Sequence, residues 1–210
     1  MLRKDTVTEE LITILKKLMK QQSLVDFRLA GGTALALQLG HRRSVDIDLF
    51  TSSELNKPII KDELMSTFLG LLPEKESRWG LRYTIQGIKV ELYGWNIPFI
   101  KLPIEEEGVR MAALEDIAAM KLEAIKERQE KKDFYDLAAL IQKFSLKEML
   151  DFYKIKYPDL DIRFVADALS NIDAADETPE PLILTESNWQ KTKNAILEAF
   201  DQFVKQQKRK

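Results

Sequence analysis

The chain has 210 residues, 45% hydrophobic and 31% charged, with a net charge of −2, enough for one sizeable core or two modest lobes and too balanced for a general pull toward nucleic acid. It contains no cysteine and one histidine, His41, which excludes disulfides, thiolate zinc sites, thiol nucleophiles and histidine metal clusters. Chemistry must come from carboxylates, lysines and arginines, and the absence of an apolar leader or a stretch of membrane-spanning length makes a cytoplasmic protein the expectation.

Residues 8–22 carry Leu11, Ile14, Leu15, Leu18 and Met19 at spacings of three and four, which predicts an amphipathic helix. A short strand follows at about 26–30; Gly31-Gly32 then turns the chain into a brief helix, 33–39, which Gly40 ends. His41-Arg42-Arg43-Ser44 leads into the strand Val45-Asp46-Ile47-Asp48-Leu49-Phe50. A second amphipathic helix spans 57–72 and is closed by Pro73, and 81–86 and 88–95 alternate as paired strands around Gln86-Gly87. From about Pro103 the pattern is helical, at 114–130, 134–144, 146–153, 162–170 and 189–206, with an acidic, proline-bearing loop at 173–181. The expected organisation is an α/β domain over 1–102 and a helical domain over 103–210, an α+β chain overall.

Asp46 and Asp48 dominate the chemistry. Residues i and i+2 of a strand share a face, so the two carboxylates project together while Val45, Ile47 and Leu49 pack on the other side. Carboxylates this close repel unless a cation stands between them, and Mg²⁺ suits all-oxygen ligands completed by water and phosphate. Gly31-Gly32 at a helix start allows close backbone approach and presents free N–H groups to an anion such as a triphosphate. Glu91, on the strand 88–95, is placed to join the two aspartates, although alternation alone leaves it equally free to face solvent. A nucleic-acid partner would need a local basic patch; candidates are His41 to Arg43, the Lys121, Lys126, Arg128, Lys131 and Lys132 region, and the tail from Lys205 to Lys210, which reads more simply as a frayed terminus.

Ala30-Gly31-Gly32, then Asp46-Ile47-Asp48, then a later strand carboxylate at Glu91 resembles the signature of the polymerase-β-like nucleotidyltransferase superfamily. Within it, Gly31-Gly32-Thr33-Ala34-Leu35, the run from His41 to Phe50, Met120-Lys121 through Arg128, and Lys132-Asp133-Phe134-Tyr135-Asp136-Leu137 are similar to the AbiEii/AbiGii toxin family, over most of the chain. The resemblance implies a nucleotidyltransferase-like mixed sheet followed by a helical lobe that completes the active-site cleft. It also implies NTP-dependent, Mg²⁺- or Mn²⁺-dependent transfer of NMP to an acceptor, with RNA (tRNA) 3′ ends the acceptors of some relatives. Such proteins are toxins of toxin–antitoxin and phage-defence (abortive-infection) systems, which implies a cognate antitoxin encoded nearby.

On that resemblance Asp46, Asp48 and Glu91 are the metal ligands, with Glu91 also able to take the acceptor proton. Gly31, Gly32 and Thr33 cradle the triphosphate, and Arg42, Arg43 and Ser44 hold phosphate or acceptor RNA. Lys121 and Arg128, seven apart on one helix face, steady the triphosphate and the acceptor. Asp133 is most simply a helix N-cap, which leaves Asp136 as the functional aspartate. His41 reads as loop structure or a phosphate contact more than as a base. Two competing readings are a phosphatase that uses Asp46-x-Asp48 as nucleophile and acid, disfavoured by Phe50 two residues on, and a non-catalytic toxin that binds nucleotide or a partner protein.

Overall fold

The computed structural model describes residues 1–207. Two compact units divide the chain, Met1–Ala113 and Leu114–Lys210.

The first unit is a seven-stranded mixed sheet with three α-helices. In chain order these are α1 (Glu9–Leu18), β1 (Arg28–Leu29), α2 (Gly31–Leu39), β2 (Ile47–Thr51), α3 (Lys57–Thr67), β3 (Leu72–Ser77), β4 (Gly80–Ile85), β5 (Ile88–Gly94), β6 (Ile104–Glu106) and β7 (Val109–Met111). The sheet order is β3-β4-β5-β2-β1-β7-β6, with β2·β5 and β1·β7 parallel and the remaining pairs antiparallel. The acidic strand β2 is therefore central, flanked by β5 and β1.

Local chemistry accounts for most of these elements. Thr8 caps α1 by accepting a hydrogen bond from the Leu11 N–H at 3.2 Å, and Leu11, Ile14, Leu15 and Leu18 form its buried stripe. Gly40, at φ 73°, closes α2 in the left-handed conformation typical of a helix C-terminus. Two of the three two-residue hairpins have positive φ at both central positions, Gln86-Gly87 (51° and 80°) and Glu107-Gly108 (51° and 80°), which matches the right-handed twist of the strands they join. The Arg110 guanidinium of β7 donates to the Met19, Leu24 and Phe27 carbonyls and so ties the sheet to the loop after α1.

Three local expectations are corrected. Val45 is 66% exposed, because β2 begins only at Ile47; Ile47 and Leu49 are fully buried as the alternation requires. Helix α3 stops at Thr67, and Pro73 lies instead within β3, an edge strand where a missing N–H costs no ladder bond. The β6–β7 hairpin occupies a stretch that reads as the start of the helical region and lies in the first unit.

The second unit contains α4 (Leu114–Glu127), α5 (Lys131–Ile141), α6 (Leu146–Lys156), α7 (Ile162–Ser170) and α8 (Trp189–Gln207). A capping box at Ser145 and Glu148 starts α6, and the Asp161 side chain caps α7. A buried ion pair, Lys156 Nζ to Asp116 at 2.9 Å, joins α6 to α4. No helix among the described residues is long and apolar enough to cross a membrane.

Candidate active site

In the first unit the register of three adjacent strands builds the site. Asp48 stands directly opposite Glu91 across the parallel β2·β5 pair, and Glu91 opposite Arg82 across the antiparallel β4·β5 pair. Alternation then puts Lys89 and Tyr93 on the Glu91 face and Phe50 on the Asp48 face, and Phe50 pairs in register with Tyr93. The Phe50 and Tyr93 rings stack at 5.0 Å and Trp95 meets both, so an aromatic wall adjoins the charged row.

Glu91 is buried, 7% exposed, and does not point into solvent. Its Oε1 accepts from Arg82 Nε at 2.8 Å, Arg82 Nη2 at 2.7 Å and the Tyr93 hydroxyl at 2.7 Å, while Lys89 Nζ lies 3.0 Å from Oε2. The same Lys89 ammonium lies 3.3 Å from Asp46 Oδ2. Burial alone would raise the Glu91 pKa, but the hydrogen bonds from Tyr93, Arg82 and Lys89 outweigh it and lower it from 4.5 to about 2. A carboxyl that ionises at about 2 is a ligand or an electrostatic partner and a poor base at neutral pH. Burial would depress the Lys89 ammonium, yet the Glu91 hydrogen bond and the charges of Asp46, Glu91 and Asp48 together raise its pKa.

The glycine turn reaches the same acids. Gly31 has φ +63°, and a Cβ on it would lie 2.9 Å from Asp48 Oδ2, so only glycine lets the backbone pass this close. The Ala30 N–H donates to the Asp48 carbonyl at 2.9 Å. Thr33 is 1% exposed, and its hydroxyl bonds the Asp46 carbonyl and the Ser44 Oγ, the latter at 2.8 Å. That hydroxyl pins turn to strand. Arg42 and Ser44 are likewise buried, and Arg42 Nη1 donates to the Arg43 carbonyl at 2.9 Å.

Among the described residues no group of three His, Cys, Asp or Glu side chains stands together at metal-holding distance. Asp48 and Glu91 stand side by side in register, Arg82, Tyr93 and Lys89 engage Glu91, and Lys89 also reaches Asp46. The donor chemistry nonetheless fits a hard divalent cation: the candidate ligands are all oxygen, and the side-chain-free Gly31 leaves a cradle beside Asp48 Oδ2 that a Cβ would fill.

In the helical unit, Lys121 of α4 is 3% exposed and not on a solvated face. Its ammonium bonds Asp133 Oδ1 at 2.7 Å and also Asp136 Oδ2, two carboxylates of α5 with no exposed surface. Arg128 closes the cluster on Asp133, Nε to Oδ2 at 3.0 Å. Asp133 is therefore not the N-cap of α5; Glu130 occupies that position, and Asp133 is a buried counter-ion. Burial would raise its pKa, but the Lys121 charge and the Arg128 hydrogen bond lower it. Lys126 and Lys132 also pair with acids, Glu123 and Glu130, so the basic stretch on α4 and α5 is largely neutralised. Residues 208–210 of the basic tail lie outside the described residues.

Sequence reasoning missed Lys89, Arg82, Tyr93 and the aromatic wall. The signal was present: counting outward from the Gln86-Gly87 turn pairs Arg82 with Glu91, and Lys89 and Tyr93 flank Glu91 at i−2 and i+2.

Two predictions follow from these charges. Glu91 ionises more readily folded than unfolded, so it contributes stability that is fully present above pH 4.5 and lost as pH falls toward 2; urea midpoints of the parent should approach those of Glu91→Gln over that window, and a constant gap contradicts the assignment. Lys121→Met leaves two buried carboxylates short of their shared cation and should cost about 3–5 kcal/mol of unfolding free energy; a loss below about 1 kcal/mol, typical of exposed pairs, contradicts the buried cluster.

Comparison with known proteins bears on what such a site does. A curated relative, protein aq_aa25 of Aquifex aeolicus (strain VF5), is 36% identical over 163 residues, 72% of this chain and 76% of its own. Among solved structures, JHP933 from Helicobacter pylori shares 20% identity, with 97% of this chain and 95% of that one covered and a TM-score of 0.55. MenT4, the nucleotidyltransferase toxin Rv2826c from Mycobacterium tuberculosis H37Rv, shares 14% identity over 90% of this chain and 80% of that one, with a TM-score of 0.54. These likenesses are likenesses of fold. The sequence pattern of the family described as "Nucleotidyl transferase AbiEii toxin, Type IV TA system" matches residues 13–206, so the chain belongs to the AbiEii nucleotidyltransferase toxin family and is a transferase.

Proposed function

We propose that this enzyme transfers NMP from an NTP to an RNA 3′ end, that of a tRNA most simply, in a reaction dependent on Mg²⁺ or Mn²⁺, and that it is the toxin paired with an antitoxin encoded beside it, with phage defence as its setting. The observation that carries the reading is the meeting of Gly31 with Asp48 beside Glu91, because it brings an anion-binding turn and a carboxylate pair to one end of β2. A phosphatase has no need of that turn.

Asp46 and Asp48 would hold the divalent cation, with Glu91 joining from β5. When bound, the cation supplies charge neutralisation on the transferring phosphoryl group and its leaving oxygens. The backbone N–H groups of Gly31 and Gly32, at the start of α2, orient the triphosphate. Thr33 and Ser44 act one step back by fixing the turn against Asp46, and Arg42 belongs to the same packed support. Glu91, ionised down to a pKa of about 2, serves as ligand and not as proton acceptor. Phe50, Tyr93 and Trp95 offer flat apolar surface on the face of the charged row, suited to a nucleobase. Lys121 and Arg128 balance the charge of Asp133 and Asp136 within the helical unit.

The test is incorporation of α-labelled NTP into total RNA with Mg²⁺. Asp48→Asn changes charge at nearly constant volume, so transfer should fall by at least about 100-fold while the melting temperature holds or rises, since like-charge repulsion is relieved. Labelling at the parental rate by Asp48→Asn would remove metal-assisted transfer through this pair. Parental protein that binds NTP and labels no RNA would leave the acceptor class wrong.

A further inference from the structure

Lys89 is unassigned by any of the chemistry above, yet its ammonium bridges Asp46, just before β2, and Glu91 of β5. It lies 3.0 Å from Glu91 Oε2 and 3.3 Å from Asp46 Oδ2. The other Glu91 oxygen, Oε1, is occupied by Arg82 and Tyr93. The Glu91 oxygen that Lys89 holds is therefore the one that remains for a metal ion shared with Asp46, and the same ammonium sits against an Asp46 oxygen. We propose that Lys89 is a built-in competitor for the divalent cation: it neutralises the carboxylates until the metal–nucleotide arrives and sets the metal concentration at which the site loads.

The proposal rests on the metal-site reading of Asp46, Asp48 and Glu91 and adds a positioning residue to it. One physical feature separates Lys89 from Arg82, the other cation on Glu91. An ammonium is a point charge on a flexible stem, whereas a guanidinium makes a planar two-pronged contact, here through Nε and Nη2 to Oε1. The two side chains are equally exposed, 37% for Lys89 and 38% for Arg82, so it is the flexible single-point contact of Lys89 that lets its ammonium return to water at small cost. Arg82 is the fixed partner that keeps Glu91 oriented; Lys89 is the exchangeable one. Once displaced, the ammonium remains at the edge of the row, where it can follow the phosphate charge that arrives with the metal.

The experiment is Mn²⁺ titration of the full chain without nucleotide, read by the electron paramagnetic resonance signal of free Mn²⁺, on parent, Lys89→Met, Lys89→Arg and Asp48→Asn. Removal of the competing charge should tighten Mn²⁺ binding about three- to tenfold in Lys89→Met, and Lys89→Arg should stay near the parent or bind more weakly. Loss of a merely structural contact would weaken binding, so the direction is diagnostic even if Lys89→Met is less stable. Equal or weaker Mn²⁺ binding by Lys89→Met, with Asp48→Asn still abolishing binding, overturns the role of Lys89 and spares the metal site. Mn²⁺ binding that is indifferent to Asp48→Asn, or absent from parent and Lys89→Met alike, overturns the metal site and the role of Lys89 with it.

Discussion

The repulsion between carboxylates at the centre of a sheet is the constraint on which the first unit is organised. The parallel pairing of β2 with β5 sets Asp48 opposite Glu91, and Asp46 follows on the same side. Neighbouring like charges across a pair of strands destabilise it, more so when partly buried. Cations answer that cost from two directions, Arg82 from β4 and Lys89 from β5, and Gly31 keeps the first turn of α2 free of any side chain beside Asp48. A concentrated negative site held by a packed sheet is what nucleotidyl transfer requires. Concentrated negative charge is also costly to keep without positive partners.

The helical unit obeys the same constraint in a drier setting. Asp133 and Asp136 have no exposed surface, and Lys121 and Arg128 supply their charge balance. Breaking such a cluster by removing one member is far more costly than the pair's net contribution, because the remaining charges stay buried. A kinetic defect in a Lys121 variant therefore carries information about catalysis only after its folded fraction has been measured.

Much of this was legible in the sequence, for identifiable reasons. Helices α1, α7 and α8 were readable because each has a cap or a strong apolar stripe, and the β4–β5 hairpin because Gln86-Gly87 demands positive φ. Strand β3 was not, since LPEKES alternates no better than a loop and all six residues are exposed; tertiary pairing with β4 makes it a strand. Strands β6 and β7, three residues each, are too short for periodicity to register. At the site, Asp46 and Asp48 announced themselves by spacing. The cations around Glu91 stayed hidden because they depend on register across three strands, although the hairpin count would have supplied Arg82. Asp133 was misassigned because helix α5 begins at Lys131, upstream of the first apolar residue that periodicity can detect.

Asp46 and Asp48, at the start of β2, and the first turn of α2 together bind a divalent cation and a triphosphate in the reading proposed above. Diffraction from crystals grown with Mn²⁺ and a non-hydrolysable NTP, collected at the manganese edge, tests it most directly. The expected result is an anomalous peak bonded by Asp46 and Asp48 carboxylate oxygens, with phosphate oxygens against the Gly31 and Gly32 N–H groups. A manganese peak away from both aspartates, or a triphosphate seated away from the glycine turn, would contradict it.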